Sequence, residues 1–263
     1  MQRLQRSYIF EFAGMPQSGK TSVKEILAHY LKRMEYPLAE YNGGSRYSRL
    51  PIYRMPIEQL NERLAQEIGN FVRSIVEGQN SDHNIYLLDR GLIDRCIFTD
   101  TLVRDGKVSQ EQAKEIYEAL TIPEFLERLD GVFILVTSPD TALDREYTGK
   151  LVEREDVRSQ GDVMNERFLR EMREAAGEWY REVNKRRNGL TYVEFIDTTS
   201  IDTDTRNVAR YVFDGISKRY PELEFKLTSA TAAGRSIEPR IRAKKPLDRW
   251  HNIGFNLSEQ RCR

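Results

Sequence analysis

An α/β domain built on a parallel sheet is the fold this sequence predicts. Two observations carry that expectation. Short apolar runs, rich in aromatic and β-branched residues, alternate with longer segments of helical period, which is the pattern of βαβ units. Two of those runs, 84–89 and 131–136, are apolar almost without a break, as strands buried on both faces are.

The elements follow in order. Residues 8–13, Tyr-Ile-Phe-Glu-Phe-Ala, read as the first strand. A glycine-bounded loop leads into a helix over about 21–34, with Val23, Ile26, Leu27, Tyr30 and Leu31 on one face. Pro37 stops it, and 38–41 form a short second strand that ends in the turn Asn42-Gly43-Gly44-Ser45. Residues 57–78 are helical in period, through Ile57, Leu60, Leu64, Ile68, Phe71, Val72 and Ile75. After the strand at 84–89 come helical patterns over 92–104 and 109–129, then the strand at 131–136. Pro139 opens a further helix at its first turn. Residues 147–161 are charged and irregular, 162–187 form a strongly charged helix, 191–196 a fifth strand, and 204–219 the closing helix.

Periodicity then stops. Residues 235–263 carry eight Lys/Arg (Arg235, Arg240, Arg242, Lys244, Lys245, Arg249, Arg261, Arg263) against three acids (Glu238, Asp248, Glu259). The chain is therefore divided into a domain at 1–225, with a lid at about 145–161, and a basic C-terminal extension at 226–263.

Composition excludes several classes. At 31% charged and 39% hydrophobic residues the chain is globular rather than disordered. Lys+Arg and Asp+Glu stand at 41 each, so net charge gives no argument for a nucleic-acid or anionic-membrane partner. The basic extension alone is a candidate contact for nucleic-acid phosphates. No uncharged apolar run reaches the length of a membrane span. The apolar run after the basic start is short and broken by Glu11, unlike a signal peptide. Cys96 and Cys262 give neither a disulfide framework nor a metal-ligand spacing. A reducing, cytoplasmic location is expected. The oligomeric state is open, a homodimer included.

Residues 14–21, Gly-Met-Pro-Gln-Ser-Gly-Lys-Thr, match G-x-x-x-x-G-K-[ST] between a strand and a helix. Gly14 and Gly19 let the backbone curl, so that the N–H groups of the loop through Gln17 and Ser18 point inward with the helix N-terminus as an anion-binding nest. Lys20 is then expected on the β- and γ-phosphates of a triphosphate and Thr21 on Mg²⁺, a hard cation that prefers oxygen.

A second constellation, Asp89-Arg90-Gly91, sits directly after a strand, where open α/β sheets bind ligands. Asp89 is expected to hold Mg²⁺ through water or to accept a substrate proton, and Arg90 to clamp a phosphate. The bland alternative is that Asp89 caps the next helix and Arg90 is a solvated charge. Asp94 and Arg95 support that pair or are an ordinary surface pair. Residues 145–158 hold Arg145, Lys150, Arg154 and Arg158 among four acids; arginines on a lid would neutralise a moving phosphoryl group and exclude water. Glu40 is a candidate base for a substrate hydroxyl, and Arg46 a candidate for a substrate phosphate.

On these residues the chain resembles the deoxynucleoside and thymidylate kinases. The resemblance covers roughly 8–220. It rests on the loop at 14–21, on Asp89-Arg90, on the run Asp94-Arg95-Cys96-Ile97-Phe98, and on Thr137-Ser138-Pro139 followed by Arg145. It implies a P-loop kinase fold with a five-stranded parallel sheet flanked by helices, ATP with Mg²⁺, and a nucleoside or nucleotide acceptor. It also implies Arg90 on the transferring phosphate and Arg145, Arg154 or Arg158 as lid arginines. Two departures bear on the acceptor: Gly91 stands where deoxynucleoside kinases have Ser and thymidylate kinases an aromatic residue or His, and Gly43-Gly44 only faintly matches the thymidylate-kinase Pro-Gly-Gly. The readings are therefore a nucleoside or nucleoside-monophosphate kinase first, a kinase acting on a polynucleotide second, and a nucleotide-gated interaction module third.

Overall fold

The most apolar strands of the sequence form the centre of the sheet. In the computed structural model the described residues are 7–42, 68, 69, 71–77, 85–153, 164–187, 191–200 and 204–223. Five strands, β1 (Tyr8–Gly14), β2 (Leu38–Asn42), β3 (Ile85–Asp89), β4 (Gly131–Val136) and β5 (Tyr192–Asp197), line up in the order β2-β3-β1-β4-β5. Every neighbouring pair is parallel. β1, β3 and β4 are buried along their whole length, whereas β5 at the edge is only partly covered. Burial on two faces is what their unbroken apolar runs require.

Helices cover both faces. α1 (Lys20–Arg33) and α7 (Thr205–Arg219) enclose one core with Phe10, Phe12, Leu87, Phe133 and Leu135. On the other face, α2 (Leu92–Arg104), α3 (Gln110–Leu120) and α6 (Glu166–Arg187) pack on Ile9, Ala13, Leu88, Val132 and Ile134. The alternation of side chains along each strand assigns these two sets. α1 carries Lys32 and Arg33 in its last turn and no acid in its first. The basic end suits its dipole, and the first turn is left clear for an anion.

Two elements differ in extent from their sequence pattern. The helical pattern over 109–129 is two helices, α3 and the short α4 (Pro123–Leu126). Ile122 is extended, as the residue before a proline prefers, and this breaks the run. Ser109 opens α3 with a capping box to Gln112. The segment read as irregular from 147 is helical to Glu153, because α5 (Pro139–Glu153) continues past Arg145. Residues 71–77 are helical as expected. The expected helix at 57–67, the turn at 43–45, the lid from 154 onward and the extension at 226–263 lie outside the described residues.

Candidate functional site

The P-loop begins where β1 leaves the sheet. Gly14 turns at φ +116°, and the next amide, Met15 N–H, donates to Leu135 O of β4 at 3.0 Å. Gly19 turns at φ +89° and precedes α1 with no side-chain cap. The first N–H groups of α1 therefore face the loop interior, where an anion can take them. Lys20 is buried and its Nζ donates to Gly14 O at 2.8 Å and Met15 O at 2.5 Å. Burial first, and then the charge of Arg90, push its ammonium down to about 8, with Asp94 and Asp89 offsetting part of this.

Thr21 and Asp89 meet. Thr21 Oγ1 donates to Asp89 Oδ2 at 2.7 Å across the gap between α1 and the end of β3. Two hard oxygens so placed beside a phosphate loop fit Mg²⁺, which takes few protein ligands and fills its remaining positions with phosphate oxygens and water. Among the described residues no cluster of three or more His, Cys, Asp or Glu competes as a metal site.

Arg90 follows at φ +71°, a left-handed conformation uncommon for arginine. Its N–H donates to Phe12 O at 2.9 Å, so the turn stays pinned to β1. Three non-glycine residues among those described have positive φ, and two of them, Gln17 and Arg90, are in this site. Local strain of this kind gathers at functional sites. The Arg90 guanidinium lies 3.5 Å from Asp94 Oδ2 and is partly exposed. Asp94 Oδ1 accepts the Gly14 N–H at 2.8 Å. Asp94 thus ties the first P-loop residue to Arg90.

The remaining candidates are distributed differently from expectation. Arg145 lies on the body of α5. It donates to Gln17 O at 3.0 Å, Thr198 Oγ1 at 3.2 Å and Thr198 O at 2.7 Å, which binds the P-loop to the segment after β5. Its neighbour Glu146 accepts from the Gln17 side chain. A cavity of about 250 Å³ opens here, lined among others by Gln17, Ser22, Arg145, Thr198, Thr205 and Val208. Arg95 is buried with its guanidinium over the Phe98 ring, 5.6 Å from the centroid.

Glu40 does not fit the base role expected of it. It lies in the middle of β2 on the α1 face, paired with Lys24 at 3.4 Å and Lys32 at 2.6 Å. Burial raises its carboxyl, but the Lys32 hydrogen bond and both lysine charges outweigh that and hold it below the usual range. A carboxylate so stabilised is a poor proton acceptor. Arg46, Arg154 and Arg158 lie outside the described residues.

Three further residues bear on the site. Glu11, wholly buried in β1, accepts the Asp94 N–H at 2.8 Å. A charge inside a buried strand was the available signal. Thr198 and Glu146 carried no signal, because only the fold brings them to the loop.

No protein-family model matches the chain, and no curated protein sequence matches it. Solved structures do. That of deoxyadenosine kinase from M. mycoides with bound dATP superimposes with a TM-score of 0.54 at 14% identity, over 78% of this chain and 99% of that one. A structure of the same kinase with bound dCTP gives 0.49 at 16% identity, over 79% and 100%. At such identity the likeness is one of fold: this chain shares with that kinase an α/β fold, here a five-stranded parallel sheet flanked by helices.

Proposed function

We propose that this chain is a P-loop kinase that moves the γ-phosphate of ATP to a nucleoside or nucleoside monophosphate. One observation carries the reading: Lys20 and Thr21 of the loop converge with Asp89 and Arg90 from the adjoining strand end. A loop that only binds nucleotide has no need of an arginine held in a left-handed turn beside its lysine. The fold likeness to a kinase of deoxyadenosine supports the acceptor class.

The division of labour follows from position. Loop N–H groups and Lys20 hold the β- and γ-phosphates. Thr21 and Asp89 would hold Mg²⁺, which would supply neutralisation of phosphate charge. The cavity at Arg145 takes the donor base; it is below the roughly 300 Å³ at which whole small-molecule sites begin. Arg90 faces the transferring group. The acceptor oxygen attacks the γ-phosphorus, a hydroxyl acceptor giving up its proton to an oxygen of the transferred group; the bond to the bridging oxygen breaks, and ADP leaves with that electron pair.

The test is transfer from γ-labelled ATP to nucleosides, nucleoside monophosphates and oligonucleotides in parallel. Label is expected in a nucleotide product of the first two arms. Label confined to oligonucleotides would move the acceptor to a polynucleotide. Slow hydrolysis with no labelled product in any arm would sink the kinase reading.

Lys20 adds a pH signature. Its ammonium is charged below about 8 and loses its proton above. Bound phosphate favours the charged form, so above that pH binding must take up a proton. ATP affinity, measured by calorimetry, is expected to be flat just below pH 8 and to fall by up to about tenfold per unit above it. Lys20→Arg, charged throughout, is expected to lose that break. An unchanged break in Lys20→Arg would assign the titration to another group.

A further inference from the structure

We infer that Glu11 is a positioning residue for phosphoryl transfer, acting from β1 as the helix cap that Gly91 cannot provide. This rests on the kinase reading above. α2 begins at Leu92, and Gly91 before it makes no side-chain cap. A capping side chain ordinarily accepts the N–H of the second or third helical residue. The third residue here is Asp94, and its N–H is taken at 2.8 Å by Glu11 Oε1, from a strand 83 positions away in sequence.

Glycine at 91 makes room for this. A Cβ at Gly91 would lie 2.8 Å from Glu11 Cδ and 2.9 Å from Oε2. A side chain at 91 therefore requires the Glu11 carboxyl to move from this position. The carboxyl group also stands at the N-terminal end of α2, where the helix dipole favours negative charge. This accounts for the glycine where the resembled kinases carry a larger residue.

The consequence reaches the reacting groups through Asp94. One carboxyl oxygen of Asp94 holds the Gly14 N–H at 2.8 Å, and the other faces Arg90 at 3.5 Å. Where Glu11 fixes the first turn of α2, it fixes the spacing between the phosphate loop and Arg90. Arg90 acts on charge that develops during transfer, so the loss should fall on turnover more than on donor affinity.

The experiment compares Glu11→Ala, Gly91→Ser and the double variant by steady-state kinetics, thermal melting and amide exchange at Asp94. Glu11→Ala is expected to lower kcat about 10–100-fold with the KM for ATP changed less than about threefold. The Asp94 amide should exchange faster. Gly91→Ser alone should lower both kcat and melting temperature, because its side chain meets the buried carboxyl. In the double variant the serine hydroxyl can take the Asp94 N–H, and kcat and amide protection should return to within about fivefold of wild type. Wild-type kcat in Glu11→Ala overturns the proposal, and so does a double variant no better than the single ones. If the single variants do not fold, a folded, active double variant supports it and an unfolded one overturns it. A wild-type protein that transfers phosphate to no acceptor sinks the kinase reading and with it the positioning role; the Asp94 exchange pattern then decides only whether Glu11 caps α2.

Discussion

Lys20→Ala is expected to lower phosphoryl transfer roughly 100–1,000-fold, the range for removing one preorganised charge-stabilising donor. The lysine is buried, and among the described residues the cationic group that lowers its pKa is Arg90. Its ammonium is thus delivered to the same point as the guanidinium and the Thr21–Asp89 pair. Stability should change far less than activity. Met15 O keeps the Ser18 hydroxyl as a donor at 2.8 Å after truncation. Burial lowers the folded-state pKa of Lys20 below its unfolded value, so the protonated lysine weighs against folding at neutral pH. Losing that penalty offsets the hydrogen bonds lost. Turnover and thermal melting of the same preparation check this together. A variant that retains more than about a tenth of wild-type turnover would remove Lys20 from the transition state.

How much of this was legible in the sequence depends on distance along the chain. The strands β1, β3 and β4 announce themselves because burial on both faces demands apolar residues at every position. The loop at 14–21 is local, so its motif holds all its information. Asp89-Arg90 was placed by a rule about strand ends, and the structure sets both beside the loop. Glu40 fails where parity enters. Its register opposite Leu87 turns it toward α1, where Lys24 and Lys32, two turns apart, reach it. That face is known only once β2 has paired with β3. Arg145 was grouped with a lid because the charged run after it hides the helix end; α5 instead carries it to the P-loop. Glu11 looked like an interruption in an apolar strand, and its partner at Asp94 belongs to an element that only topology brings near.

Gly14→Ala is expected to be the most damaging single-atom addition among the described glycines, through the sheet rather than through the ligand. A Cβ on Gly14 would stand 2.1 Å from Leu135 O and 3.0 Å from Leu135 C and N. These are backbone atoms of the neighbouring central strand, so no rotamer relieves the clash. β1 must draw away from β4, and the Met15 N–H bond to Leu135 O goes with it. The φ of +116° adds strain that alanine bears poorly. Gly19→Ala isolates that second contribution: its φ is +89°, but nothing lies within 4 Å of the added carbon. Left-handed strain alone costs roughly 1–2 kcal/mol, about 2–8 °C in a domain of this size. The added backbone clash should bring Gly14→Ala to roughly 4 kcal/mol or more, on the order of 10 °C. Urea titration and thermal melting of the two variants side by side give the ranking. Equal losses would mean that β1 and β4 part at no cost, and that both glycines answer only to the curl of the loop. The expected inequality separates them: the second glycine is required by backbone conformation at an anion site, the first by the carbonyl of the strand it lies against.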